Sequence, residues 1–389
     1  MRILVSGGGI AGLTCAIELK RRGFDPLVIE REKGLRAEGY MMDFFGSGWD
    51  VAGRIGLTER LRAVRYPIDT VEFVDTDGRP YAQFPVDRVR QALGGHYVYL
   101  RRPDLERILA ERARAVGVEI RYDASLAELD DHGDRVHARF ADGGEDDFAL
   151  VFGADGVHSR VRDLVFGPET QFARFLGLYV AAFHVPAMGF SIGHKVKLYE
   201  ETNHFAFLYP LSDTRLDATF AFRRAEMKIP HNDRIGFLRE EMRDAGWITK
   251  DVIAAYNGEE PVYFDSVTQI VMQQWHKGRV ALIGDACGCL TLLAGQGSHM
   301  AMAGAYVLAQ ELARHEDHAA AFAAYQRFIK PAVEKRQKSA LQFVGLFVPS
   351  KDSREWLRRL VIRLFFCEPL LTLGMRFFGA KSILVGRVD

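Results

Sequence analysis

Apolar runs closed by glycine at both ends of the chain set the first expectation. Ile3-Leu4-Val5 leads into Gly7-Gly8-Gly9-Ile10-Ala11-Gly12, then a mixed stretch to Arg22 and a second apolar run before Glu30. A short apolar run, a glycine turn and helical spacing read as strand, turn and helix. The pattern predicts a strand over 2–6, a helix over 10–22 and a second strand over 26–30 after the break at Gly23. Far downstream, Val280-Ala281-Leu282-Ile283 enters Gly284-Asp285-Ala286 and then Ala294-Gly295-Gln296-Gly297. A helix over 296–315 follows, rich in Ala and Gly on the face that can pack closely on a sheet.

Between these ends the texture changes. Val71 and Phe73 alternate with polar neighbours, Asp77-Gly78 makes a hairpin turn, and 81–84 returns. An amphipathic helix over 105–116 stops at Gly117, and strands follow over 118–122, 135–140 and 149–153. From about 172 to 274 the pattern becomes antiparallel. Phe205, Phe207 and Tyr209 alternate in one strand and Ala218, Phe220 and Phe222 in another, with 210–217 as their connection. A surface helix is expected over 232–245. The whole reads as a βαβ domain interrupted by a sheet-rich insertion.

Composition narrows the class. Charged residues are 26% and the hydrophobic set 48%, ordinary for a globular protein. Lys plus Arg and Asp plus Glu both total 51, so no net field draws nucleic acid or an anionic membrane. The cysteines are Cys15, Cys287, Cys289 and Cys367; only 287 and 289 lie close, with no second pair for zinc, so no metal is expected. Reduced thiols and a cytoplasmic location are the reading. The N-terminal apolar stretch is a phosphate-loop pattern followed by Lys20-Arg21-Arg22 instead of a cleavage site. No segment is long and uncharged enough to span a bilayer. Residues 356–384 are apolar but punctuated by Arg358, Arg359, Arg363, Arg376 and Lys381. That suits either a tail helix packed on the domain or peripheral contact with a membrane surface.

The glycine turns carry the chemistry. In Gly7-x-Gly9-x-x-Gly12 the first glycine permits the turn, the second admits a pyrophosphate and the third lets helix and strand pack closely. The helix start at Ile10 and Ala11 offers free N–H groups and the positive end of a dipole to phosphates. Glu30 ends the second strand, where a carboxylate can accept both ribose hydroxyls, with Arg31 beside it. That motif alone does not separate NAD from FAD. A second turn, Val151-Phe152-Gly153-Ala154-Asp155-Gly156 with Ser159, Arg160 and Arg162, and a third, Gly284-Asp285, favour FAD. FAD is long enough to need one grip at its adenosine end and another at its ribityl and ring end. The helix after Gly295-Gln296-Gly297-Ser298 would aim its dipole at the ring.

With those motifs in place the chain resembles the class A FAD monooxygenases, the p-hydroxybenzoate hydroxylase-like aromatic hydroxylases. The resemblance covers roughly residues 1 to 340: GxGxxG with Glu30, Arg102-Pro103-Asp104-Leu105, Asp155-Gly156, and Gly284-Asp285 with the GQG loop. It implies a Rossmann-like FAD-binding domain (1–70, 97–167, 270–340), an inserted antiparallel β-sheet substrate domain (71–96, 168–269) and C-terminal helices (341–389). By resemblance Glu30 holds the adenosine ribose, Asp285 the ribityl chain, and Arg102 the pyrophosphate or ribityl. Arg36 matches an arginine that contacts the flavin, Asp155 supports the FAD site and the approach of a nicotinamide, and Leu126 joins the cofactor contacts. The implied reaction uses FAD with NAD(P)H as transient reductant. O2, activated as a flavin C4a-hydroperoxide, then hydroxylates or epoxidises a small, mostly apolar or aromatic compound. The implied assembly is a monomer or homodimer.

Two departures bear on the reaction. Related chains read Gly-Asp-Ala-Ala-His with a proline before GQG, whereas this one has Gly284-Asp285-Ala286-Cys287-Gly288 and Leu290-Thr291-Leu292-Leu293. Where an asparagine is usual after GQG, Ser298-His299 stands; His299 either touches the flavin or has a structural role. Arg36, His299 and Tyr209 are the catalytic candidates. His204, Phe207, Tyr209, Phe220 and Phe222 are the candidate substrate wall, with Tyr179 a further hydrogen-bonding candidate; sheet-core packing is the alternative for the aromatic stripes. A reductase of the geranylgeranyl-reductase type and a non-catalytic flavin sensor share the same FAD grip.

Overall fold

The glycine turns sit on a six-stranded sheet in the order His276–Lys277, Val280–Leu282, Leu150–Gly153, Arg2–Ser6, Asp25–Ile29 and Glu119–Arg121. All neighbours are parallel except the first pair. The coordinates are a computed structural model that describes residues 1–36, 39–187, 189–190, 192–228, 232–291, 295–349, 355–365 and 382–387. Ile3, Leu4, Val5, Val151, Phe152 and Ala281 are fully buried, as in a parallel sheet covered on both faces. The helices Ile10–Arg21, Arg102–Ala115 and Gly297–Arg314 form one packed layer, the first of them lying against the other two, and Val136, Ala138, Phe140 and Phe148 join the same core. Ala303, Gly304, Ala305 and Ala309 keep the Gly297–Arg314 helix slim enough for the close approach.

A seven-stranded sheet lies beside it, ordered Tyr263–Ile270, Ala173–Pro186, Arg215–Arg223, His204–Ser212, Lys195–Glu201, Thr70–Val74 and Pro80–Pro85. It is antiparallel except where Lys195–Glu201 runs parallel to Thr70–Val74, a pairing that alternation alone does not predict. One face packs on the helices Arg234–Glu241 and Thr249–Ala254 through Phe183, Ala206, Ala218, Phe220, Phe222, Leu238 and Val252. The other face carries Val180, Phe205, Phe207 and Tyr209 toward the first sheet.

Between the two stands a ribbon of Met41–Phe45 paired with Tyr97–Arg101. Strand alternation gives it two faces. Met42, Phe44, Val98 and Leu100 join the core of the six-stranded sheet, whereas Met41, Phe45, Tyr97 and Tyr99 join the core of the seven-stranded one. A three-stranded antiparallel sheet, Leu126–Asp131, Val136–Phe140 and Glu145–Phe148, completes the strands.

Two local expectations need correction. The expected connection 210–217 is mostly strand: pairing continues through Leu216 and Asp217, with the register shifting between Pro210 and Ser212. Proline lacks the N–H for a regular ladder, so it marks the bulge and not the end of the strand. The expected surface helix is shorter, Arg234–Glu241, capped by Asp233 accepting from the Gly236 amide at 2.9 Å. It is also half core, since Leu238, Met242 and Ala245 are buried.

At the C-terminal end the long helix His318–Phe347 precedes Glu355–Phe365, which packs on the Pro80–Pro85 strand. Ile362 is buried there, the buried Arg358 pairs with Glu200, and the Arg359 guanidinium lies 5.2 Å over the Tyr81 ring. Trp356, Leu360 and Leu364 stay exposed. Residues 366–381, with Cys367, Arg376 and Lys381 of the sequence reading, lie outside the described residues, as do Leu292, Leu293 and Ala294. No helix among the described residues is long and apolar enough to cross a membrane.

Candidate FAD site

The first glycine turn is built for a ligand to approach its backbone. Gly7 has φ +117, and a Cβ there would stand 2.4 Å from the Ala154 carbonyl oxygen. A Cβ on Gly12 would meet the Gly7 carbonyl oxygen at 1.9 Å. Gly9 caps the Ile10–Arg21 helix with no side-chain bond to its orphan N–H groups, leaving them for an anion. Glu30 closes one side: its Oε2 accepts from the Gly8 amide at 2.7 Å and its Oε1 from Glu32 at 3.0 Å.

One cleft runs from these residues to the third glycine turn. It is lined by Gly7, Gly9, Ile10, Ala11, Glu30, Arg31, Arg36, Arg102, Leu126, Asp155, Asp285, Gly295, Gly297 and Ser298. Every cofactor residue expected from the sequence except Gly12 therefore lies on one surface; Gly12 sits beneath the turn, serving close packing. Arg36 reaches Glu32 at 3.4 Å, and Arg102 is held at 2.9 Å by Glu106, whose charge raises the guanidinium pKa.

Asp285 begins a short helix after Gly284, whose φ of +63 would be strained for other residues and whose Cβ would press Ala11 at 2.9 Å. Burial raises the Asp285 carboxyl pKa, and Arg102 opposes the shift. Asp155 spends its carboxylate inside the chain, accepting from the Ser159 hydroxyl and the Val161 amide. It thus braces the second turn from within the cleft wall. Ser298 Oγ is buried with no hydrogen-bond partner among the described residues, an unmet valence at the mouth of the Gly297–Arg314 helix. Uncapped N–H groups of the Ile10–Arg21 helix start at one end, a buried carboxylate and an unpaired hydroxyl at the other fit a dinucleotide lying along the cleft.

Other lining residues escaped the sequence reading. Tyr40 and Tyr263 pack with their rings tilted at 58°, centroids 5.7 Å apart, where the cleft turns toward the seven-stranded sheet. Burial pushes the Tyr40 hydroxyl up to about 12. Neither residue belongs to a glycine or acidic turn, so only tertiary structure reveals them.

The catalytic candidates separate. His299 does not line the cleft; its Nε2 lies 3.1 Å from the Asp43 carbonyl and 3.3 Å from the Phe45 amide, fastening the helix to the ribbon. Burial lowers its pKa to about 4, which keeps the ring neutral. Tyr209 faces the ribbon, its ring 6.4 Å from Tyr99, and its hydroxyl pKa is raised by burial and by Asp43 and Asp217.

The substrate wall is corrected by register. Phe205, Phe207 and Tyr209 point to the ribbon side. Phe220 and Phe222 point to the opposite face, packed on helices, because they sit at alternate positions of the neighbouring strand. His204 alternates with Phe205 and bonds Glu201 at 3.0 Å instead. Tyr179 also turns away, its hydroxyl exchanging bonds with the Met227 backbone.

Comparison with known proteins agrees with this site. The FAD binding domain family matches residues 1–339. A flavin-dependent monooxygenase of an unidentified prokaryote is 34% identical over 342 residues, covering 86% of this chain and 87% of that protein. The solved structure of the tetracycline destructase Tet(55) is 30% identical, with a TM-score of 0.82 over 98% of this chain and 97% of that one. The Klebsiella pneumoniae HpxO structure, complexed with FAD and uric acid, shares the fold at 23% identity, with a TM-score of 0.83 over 100% and 98% of the two chains. A cleft shaped for a dinucleotide, relatives of this kind and the shared fold lead to one conclusion: the chain belongs to the class A FAD-dependent monooxygenases, the p-hydroxybenzoate hydroxylase-like family.

Proposed function

We propose that this monooxygenase uses NAD(P)H and O2 to hydroxylate or epoxidise a small, mostly apolar or aromatic compound held between the ribbon and the seven-stranded sheet. The observation that supports the reading is that the cleft extends past Tyr40 to Tyr263, Asp265 and Thr268 of the seven-stranded sheet, next to the aromatic cluster of Phe207, Tyr209, Tyr97 and Tyr99. Bound FAD would supply the redox chemistry, taking electrons from the nicotinamide and passing them to O2. The chain's own residues position and shield. Glu30 would accept the adenosine ribose hydroxyls, Arg102 would meet the pyrophosphate or ribityl, Asp285 the ribityl chain, and Arg36 the flavin. The Gly297–Arg314 helix would present its N-terminal dipole to the ring.

In this reading segments 1–70, 97–167 and 270–340 carry FAD, while 71–96 and 168–269 cover the substrate. The buried free thiols of Cys15, Cys287 and Cys289 suit the reducing cytoplasm, and the protein works as a monomer or homodimer. The test is NAD(P)H oxidation by FAD-loaded protein with and without O2, across phenols, enols and fused-ring aromatics. Substrate-stimulated oxidation coupled to O2 uptake and an oxygenated product by mass spectrometry is expected. Turnover that persists without O2 given an alternative acceptor, and yields no oxygenated product, would overturn the proposal.

A further inference from the structure

Two stretches line the cleft beyond Asp285, Cys289 to Thr291 and Gly295 to Ser298, and consecutive residues of the His318–Phe347 helix grip one each. Gln337 takes the first. Its Nε2 donates to the Ile270 carbonyl at 2.8 Å and to the Cys289 carbonyl at 2.9 Å. Gln269, on the Tyr263–Ile270 strand, answers with donations to the Leu290 carbonyl at 3.0 Å and the Gln337 carbonyl at 2.9 Å. Both glutamines are buried, so the stretch is fastened to helix and strand together.

Arg336 takes the second stretch. Its Nε donates to Gln296 Oε1 at 2.9 Å, and a terminal nitrogen donates to the Ala332 carbonyl one turn earlier at 3.2 Å. Both of these acceptors are neutral, so the bonds orient the guanidinium without cancelling its charge. Gln296 is the N-cap of the Gly297–Arg314 helix and stands between Gly295 and Gly297 on the cleft surface. A full positive charge is therefore added where that helix already presents the positive end of its dipole. The charge is felt at His299, the third residue of the helix, where it helps to keep the imidazole neutral. Arg336 is itself half-buried, and burial lowers its pKa. A negative charge arriving nearby would relieve that cost.

Reduction of a flavin supplies such a charge. Uptake of two electrons and one proton leaves the ring system one unit more negative than the oxidised form. A cation already fixed at that end of the cleft favours the reduced form and needs no rearrangement to do so.

We propose that Arg336, held through Gln296 while Gln337 and Gln269 fix the neighbouring stretch, is a positioning residue whose charge sets the reduction potential of bound FAD. This rests on the placement of the flavin ring in the reading above and goes beyond it. A residue outside every glycine motif makes the flavin easier for the nicotinamide to reduce.

The test uses FAD-loaded full-length protein without O2, titrated with dithionite beside a reference dye of known potential. Absorbance then reads the equilibrium between oxidised and reduced bound flavin. Arg336→Gln should move it about tenfold toward the oxidised form, about 30 mV for a two-electron couple. That is the order a fixed unit charge about 12 Å away supplies at an effective dielectric of about 20. Arg336→Met, which has neither charge nor donor, should do the same. Arg336→Lys keeps the charge and should stay within about threefold of the wild type. Gln337→Leu removes a grip and no charge; it should weaken oxidised and reduced FAD alike and leave their ratio in place. An unshifted equilibrium in both neutral Arg336 variants overturns the inference. So does a shift that Arg336→Lys or Gln337→Leu reproduces in full, because loop order would then be its cause. These readouts need neither substrate nor turnover: absence of an oxygenated product sinks the monooxygenase reading, and an unshifted potential sinks this one.

Discussion

The Gly8 amide donates to Glu30 Oε2 over 2.7 Å, tying the first glycine turn to the end of the second strand before any ligand arrives. The loop is thereby held near the shape that binding requires, which lowers the ordering cost of association.

Glu30→Gln should keep the Gly8 bond through its amide oxygen, give up the second one from the Glu32 amide, and lose the charge that would face the ribose. FAD affinity should fall by about tenfold to a hundredfold, the range for a hydrogen bond to a charged group, with melting of the apoprotein nearly unchanged. Flavin fluorescence during titration of the apoprotein measures both arms; an unaltered affinity would place the ribose elsewhere.

His299 predicts an acid sensitivity. Its folded pKa is about 4 against an ordinary 6.5. Above pH 6.5 neither state gains a proton and the group is silent. As pH falls below that value the unfolded chain takes up the proton and the folded one does not, so stability drops until the folded pKa is reached. The loss should be about 2 kcal/mol between pH 7 and pH 5. Urea unfolding at the two pH values should show it in the wild type and show it diminished by that amount in His299→Gln.

Arg358 and Glu200 form an ion pair with side chains 6% and 0% exposed. Arg358→Ala takes the paired charge away from a buried carboxylate that also accepts from the Tyr81 hydroxyl, and should cost about 3–5 kcal/mol. The double replacement Arg358→Met with Glu200→Gln should recover most of that, because no buried charge is stranded. Denaturant midpoints of the three proteins decide the matter.

Phe220 and Phe207 look alike in sequence and should behave oppositely. Phe220, fully buried among helices, should cost about 3–5 kcal/mol when cut to alanine, leaving KM for any turned-over substrate unchanged in the folded fraction. Phe207→Ala should cost less stability and change KM. The two readouts are chemical denaturation and steady-state kinetics.

The FAD grip was legible because its requirements are local. Parallel strands buried on both faces appear as unbroken apolar runs such as Ile3-Leu4-Val5, and positions that admit no Cβ, such as Gly7 and Gly12, are glycine. The substrate side was not legible for the converse reason. Alternation shows that a strand has two faces but not which one faces the other sheet, so Phe207 and Phe220 read alike in sequence although register sets them on opposite sides. Arg336 and Gln337 carried no signal either: they lie beyond every glycine turn in sequence and reach the cleft only through the packing of their helix.

The two-faced ribbon has a consequence for how such an enzyme can diversify. Met42 and Leu100 pack in the core of the six-stranded sheet, Tyr99 packs in that of the seven-stranded one and Asp43 faces Tyr209, and the two sets interleave along the same few residues. Exchanging every second side chain there would retune which molecule is accepted while the prosthetic group keeps its seat. With the substrate where we propose it, new specificities would be reachable by changing single residues of that face, with no need to rebuild the redox machinery.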